Sequence, residues 1–181
     1  MGGSGGDRLF SDLRKRCEAA GVTGDRPKMG PHGTIIQPFR CTEGELYIAA
    51  TLMRLVWKLK PGPVHVTARQ VAVFEPPEEQ SPKTAAYVEF KMDTEYQEFV
   101  ERHKANWPFP FVHRPASKNP SDRIWIPHMT FMEGHDLDKE MEKLLPDLND
   151  YAHGKQIDLL EPHVLRKQNG ESGSWWQKVL V

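Results

Sequence analysis

The sequence predicts an α+β fold, with helices covering a mostly antiparallel sheet system. Stretches whose apolar residues recur at helical spacing are interleaved with runs rich in β-branched and aromatic residues. Their order is roughly αβα, ββα, βα, ββ, which is the pattern of an α+β domain. With 181 residues, 38% of them hydrophobic and 27% charged, the chain suffices for one good-sized domain or two tightly joined small lobes.

Each element has a local reason. The opening Met1-Gly2-Gly3-Ser4-Gly5-Gly6 has neither a basic nor an apolar region. Residues 1–6 therefore read as a flexible leader or expression scar, and residues 7–181 as one folded domain. Over 7–20, Leu9, Phe10, Leu13 and Cys17 recur at helical spacing, and Gly21 supplies a stop. A loop bearing glycine and proline leads to a short strand at 32–37. Thr42-Glu43-Gly44-Glu45 is a capping box, in which hydroxyl and carboxylate each satisfy a free backbone donor. The helix it opens runs to about Lys60, with Leu46, Ala49, Ala50, Met53 and Trp57 on one face, and Pro61-Gly62-Pro63 ends it.

Residues 64–74 form a branched, aromatic-rich strand, and a polar Pro/Glu loop leads to a second at 84–92. Asp93 caps a helix from Thr94 to about Asn106, burying Tyr96, Phe99, Val100 and the stem of His103. The stretch 107–120 is rich in proline and aromatics and reads as irregular. Residues 123–132 are a strand carrying Trp125, His128 and Thr130. Asp136 caps a last helical stretch, which Pro146 must bend or split. Two final strands, 156–167 and 175–181, are joined by Asn169-Gly170-Glu171-Ser172-Gly173, a hairpin connection.

Composition narrows the partners. Lysine and arginine number 24 against 25 aspartates and glutamates, a formal net charge of −1. Tight, nonspecific binding to long nucleic acid rests on a strong basic excess, which is missing here. A small or short anionic substrate needs only a few local donors. The two cysteines, Cys17 and Cys41, read as reduced thiols of a cytoplasmic protein. No apolar run approaches the roughly 20 residues of a membrane helix. A soluble monomer without a membrane partner is expected.

One short pattern occurs twice: Pro31-His32-Gly33-Thr34-Ile35-Ile36 is echoed by Pro127-His128-Met129-Thr130-Phe131-Met132. At this composition chance supplies about 0.03 copies of Pro-His-x-Thr. His65-Val66-Thr67 is a third His-x-Thr, but it lacks the proline and is assigned to a plain structural strand. Alternate residues of a strand share a face, so His and Thr at i and i+2 stand side by side. Two such strands brought together would place two imidazoles and two hydroxyls in one cleft. One neutral histidine can then take a proton from an attacking water or hydroxyl while the other, protonated, gives one to the departing oxygen. Threonine hydroxyls can hydrogen-bond the nonbridging phosphate oxygens, where charge concentrates. Neither a metal nor a cofactor is needed.

At these residues the chain resembles the two-histidine (2H) phosphoesterase superfamily, which includes 2′,3′-cyclic nucleotide phosphodiesterases and 2′-5′ RNA ligase-like proteins. The resemblance rests on His32, Thr34, His128 and Thr130, on the apolar residues after each motif, and on their separation of 96 positions. The element order, with a tryptophan-bearing final strand, also fits. The resemblance implies a bilobal α+β fold, two mostly antiparallel sheets facing a central cleft with helices outside. It makes His32 and His128 the acid–base pair and Thr34 and Thr130 the phosphate-binding residues. Some relatives carry an aromatic three residues before the second histidine, facing the nucleotide, and Trp125 holds that position.

Other residues are weaker candidates for the cleft. Trp176, beside Trp175 on the last strand, Phe111 and Phe109 in the proline-rich loop, and Arg40 just beyond the first motif could contact a nucleotide or short RNA. Core packing for the aromatics and a surface place for Arg40 compete with that role. The acidic stretches 75–79 and 136–142 read as solvated faces. The histidines lack zinc-ligand spacing, no Cys-x-x-Cys occurs, and no phosphate-binding glycine loop is present. The expected activity is hydrolysis of 2′,3′-cyclic phosphates of nucleotides or RNA ends to 2′-phosphates. The alternatives are a 2′-5′ phosphodiesterase acting on 2′-5′ oligoadenylate or a cyclic nucleotide signal, a noncatalytic RNA-end or nucleotide binding module and, more weakly, a metal-dependent phosphoesterase.

Overall fold

The computed structural model describes residues 5–25, 39–59, 63–74, 84–109, 128–135, 137–159, 162–170 and 173–179. Helix α1 (Gly5–Ala19) starts two residues inside the stretch read as a leader, and Gly6 is buried. The first turn lies close to a strand: a Cβ on Gly5 would sit 3.7 Å from the Gln156 carbonyl oxygen. Leu9, Phe10, Leu13 and Cys17 are buried, as their spacing predicts. The helix ends in a Schellman motif. Gly21 adopts φ +82°, its N–H donates to the Glu18 carbonyl at 3.0 Å, and the Val22 N–H donates to that of Cys17 at 2.9 Å.

The helices and strands form two compact units, as an α+β chain. The first unit, which spans Met1–Gly33, His65–Met92 and Ile126–Asp158, is built on a four-stranded sheet. Strands β1 (Val64–Phe74), β2 (Thr84–Phe90), β3 (His128–Gly134) and β4 (Gln156–Leu159) lie in the order β3-β2-β1-β4. β1–β2 and β2–β3 are antiparallel. The row Val71–Val88–Met129 runs across three strands, and all three residues are buried. Side chains alternate along a strand, so the next row, Gln70–Glu89–His128, emerges on the opposite face.

Helix α1 packs on β3 and on α5 (Leu145–Ala152), and α4 (Leu137–Met141) packs on β2. Cys17 Sγ meets Met141 Sδ at 3.7 Å in this core. Pro146 divides the helical stretch as expected: a turn at 142–144 separates α4 from α5, and the proline sits in the first turn of α5, where its missing N–H has no helical partner to lose. Arg14 is buried, and its guanidinium donates to the carbonyls of Gly24 at 3.1 Å, Asp25 at 3.1 Å and Phe131 at 3.3 Å. It thereby ties the chain after α1 to the edge of β3. There Asp25 and Glu133 exchange backbone hydrogen bonds of 2.7 and 3.1 Å as an antiparallel bridge.

The second unit contains α2 (Glu43–Leu59), α3 (Thr94–Ala105) and a hairpin of β5 (Leu165–Gly170) and β6 (Gly173–Lys178). The capping box forms as read: the Thr42 N–H and hydroxyl donate to Glu45 Oε2 at 2.6 and 2.8 Å, and the Glu45 N–H reaches Thr42 Oγ1 at 3.4 Å. Asp93 caps α3 through the Tyr96 N–H at 2.9 Å. Leu46, Ala49, Ala50, Met53 and Val164 form a core joined by Phe39, Cys41, Trp107, Phe109 and Val179. Val56 rather than Trp57 completes the buried face of α2; Trp57 is half-buried, edge-on to Phe99 at 5.8 Å.

Three expected boundaries shift. The single strand at 156–167 is two strands in different sheets, β4 and β5, and Pro162, which has no N–H for a ladder, falls between them. β2 stops at Phe90, leaving Asp93 clear to cap α3. β5 absorbs Asn169 and Gly170, so the hairpin closes at Gly170 opposite Gly173. The strand expected at 32–37 and the cap at Asp136 lie outside the described residues. Among the described residues no helix is long and apolar enough to cross a membrane.

Candidate active site

β3 presents its motif on a single face. His128 and Thr130 are half-buried, whereas the intervening Met129 and the following Phe131 and Met132 are 2%, 0% and 0% exposed. The apolar residues after the histidine hold the strand against α1, and their burial fixes which way the imidazole and hydroxyl point. A bulge in the β2–β3 register, between Ala86 and Tyr87, turns Phe131 and Met132 both into the core.

The partner strand adds two groups that the motif did not reveal. Glu89 is opposite His128, and Tyr87 is opposite Thr130. The Tyr87 ring stands edge-on to the His128 imidazole with centroids 5.4 Å apart. Burial, and then the nearby Glu89 carboxylate, push the Tyr87 hydroxyl pKa up, so the phenol stays a proton donor at neutral pH. The Glu89 side chain is 4% exposed. One of its oxygens accepts from Arg69 Nη1 at 2.7 Å and the other from Gln70 Nε2 at 2.8 Å. A buried carboxylate without such donors would be strongly destabilising.

Arg69 and Gln70 are adjacent in sequence yet both reach Glu89, because the β1–β2 register shifts between Ala68 and Gln70. Bulges of this kind re-aim side chains. Helix α5 holds this stretch of β1: His153 Nδ1 donates to the Arg69 carbonyl at 2.8 Å. Asn149 accepts the Val71 N–H at 2.7 Å and donates to the Val71 carbonyl at 3.2 Å. Tyr87 and Glu89 were legible as one strand face, since Ala86, Val88 and Phe90 alternate with them. That this face adjoins His128 follows only from strand pairing.

The third His-x-Thr is separate. His65 Nδ1 donates to Asp158 Oδ1 at 2.7 Å, with both side chains about half exposed. Strand spacing and rise put its backbone roughly 16 Å from that of His128, too far to flank one phosphorus atom. His32 and Thr34, and the aromatic candidates Trp125 and Phe111, lie outside the described residues. Arg40 is exposed in the segment before α2, and Trp176 pairs with Lys167 in the β5–β6 hairpin. Phe109 packs with Phe39 at 5.8 Å and Trp107 at 5.6 Å against the α2 core.

Among the described residues no three His, Cys, Asp or Glu side chains gather as a metal site. A hollow of about 480 Å³ lies on the helix side of the sheet, lined by Val71, Val73, Asp138, Lys139, Glu142 and Leu145. Its described lining contains no histidine. No family model and no curated protein matches this chain.

Proposed function

We propose that the protein is a metal-independent phosphodiesterase of the two-histidine type, hydrolysing 2′,3′-cyclic phosphates of nucleotides or RNA ends to 2′-phosphates. The observation that carries this is the disposition of His128 and Thr130, side by side on one face of β3 with the alternating residues buried. Imidazole and hydroxyl are thus displayed together, ready for a phosphate. The two-lobed architecture with a central cleft belongs to the same proposal.

In the reaction one histidine of the His32/His128 pair takes a proton from water as its oxygen bonds to phosphorus. The other protonates O3′ as the phosphorus–O3′ bond breaks, so one water is added and no charge is lost. Thr34 and Thr130 donate to the nonbridging oxygens, where charge builds in the transition state. Both cysteines are free thiols, which suits the reducing cytoplasm; the working form is taken to be a monomer without cofactor.

The test is hydrolysis of adenosine 2′,3′-cyclic phosphate in EDTA, with 2′-phosphate identified as product. His32→Ala and His128→Ala should each lower kcat about 10²- to 10⁴-fold, and His65→Ala should leave it within about twofold. Severe loss in His65→Ala alone would sink the choice of pair. Binding without turnover would assign a nucleotide-binding module instead, and loss of turnover in EDTA would assign a metal-dependent enzyme. Faster cleavage of 2′-5′ oligoadenylate or a cyclic dinucleotide would move the substrate.

A further inference from the structure

We infer that Arg69 forms a second phosphate subsite beside His128, so that the favoured ligand carries two phosphoryl groups, as the 3′-terminal nucleotide of an RNA does. This rests on the reading of His128 and Thr130 as the first phosphate site. The residues concerned form one cross-strand set: Gln70, Glu89 and His128 are successive partners across β1, β2 and β3. Neighbouring strands lie about 4.8 Å apart. The Arg69 guanidinium reaches Glu89 from β1 and so lies between about one and two strand spacings, roughly 5–10 Å, from the histidine, within reach of a second phosphate of the same nucleotide.

Three features hold Arg69 in this place. The register shift turns it to the His128 face, His153 fixes its carbonyl from α5, and Glu89 fixes Nη1 at 2.7 Å. Yet its side chain remains 61% exposed, while its partner is 4% exposed. One edge of the guanidinium is thus spent on the carboxylate and the rest faces solvent. A planar fork held this way matches a phosphate, and little of its rotamer freedom is left to lose on binding. The bland account is that Arg69 only neutralises a buried carboxylate. The two accounts differ in what happens when both charges are removed.

Adenosine 2′-monophosphate and adenosine 2′,5′-bisphosphate separate them, titrated calorimetrically into the wild type and into Arg69→Lys and the double variant R69Q/E89Q. The double variant spares the fold an uncompensated buried charge, and its melting temperature verifies folding. The wild type should bind the bisphosphate about tenfold more tightly or better. That ratio should fall below about threefold in the double variant and to an intermediate value in Arg69→Lys. A counterion role alone would leave the ratio unmoved. Equal affinities in the wild type, no binding of either compound, or an advantage that survives in R69Q/E89Q overturns the subsite. Turnover of adenosine 2′,3′-cyclic phosphate by the wild type reports the catalytic proposal separately. A bisphosphate advantage without turnover leaves a two-phosphate binding site, and turnover without the advantage removes Arg69 alone.

Discussion

Replacing Gly24 by alanine tests how the chain after α1 meets the strand that carries His128. An added Cβ would sit 2.5 Å from Met132 Cγ and 2.8 Å from the Glu133 carbonyl oxygen. Met132 is 0% exposed and cannot swing away. The Glu133 backbone is held by its 2.7 and 3.1 Å exchange with Asp25, and the Gly24 carbonyl itself accepts from Arg14. Forcing extra volume into a packed site costs about 1–3 kcal/mol. Loss of one of these hydrogen bonds adds about 0.5–1.5 kcal/mol. Gly24→Ala should therefore destabilise by about 2–4 kcal/mol, measured by urea unfolding, and lower Tm by about 5–15 °C for a chain of this size. Gly44→Ala is the control: it lies inside α2 with nothing within 4 Å of its Cβ, and should gain up to about 1 kcal/mol. A Gly24→Ala protein within about 0.5 kcal/mol of wild type would show that this glycine does not abut β3.

Two further outcomes follow from buried groups. His103 is 2% exposed and bonds the Phe99 carbonyl at 2.8 Å; burial, more than the nearby Arg102, holds its pKa below the usual 6.5. The unfolded chain therefore binds the proton first, so stability is full above pH 6.5 and declines as pH falls through the lower folded value. His103→Leu should flatten the pH dependence of unfolding in that window, and an unchanged slope would refute the assignment. Burial also pushes the Cys17 thiol up to about 11, whereas Cys41 is only partly buried. Iodoacetamide with mass spectrometry should label Cys41 in the native protein and Cys17 only on unfolding; equal rates would place Cys17 at the surface.

Local signals were the most readable. The strand at 64–74 has the limits that its β-branched run predicts. The helix after Asp93 buries Tyr96, Phe99, Val100 and His103, the four residues its spacing selects. The Thr42–Glu45 box and the break at Pro146 act over three or four residues, and their energetics are settled within that span. The two-sided character of 128–132 was legible for the same reason, since alternation is a property of the strand alone.

What sequence left open depends on partners distant along the chain. Residues 156–167 carry no local mark saying that the first part joins β1 while the second pairs with β6; only the competition for ladder partners decides it. Gly5 and Gly6 resemble a linker by composition, and their place in α1 comes from packing against the strand at 156–157. Glu89 and Arg69 lie 39 and 59 residues before His128, and nothing in their spacing announces that register would pair Glu89 with His128 and a bulge would turn Arg69 onto Glu89. The sequence by itself determined the strand at 64–74, the helices capped at Thr42 and Asp93 and the shared face of His128 and Thr130 on β3, because these arise from forces between near neighbours. Tertiary structure alone decided which charges and rings surround that pair, because strand register is chosen by burial of the opposite face, a property of the whole sheet.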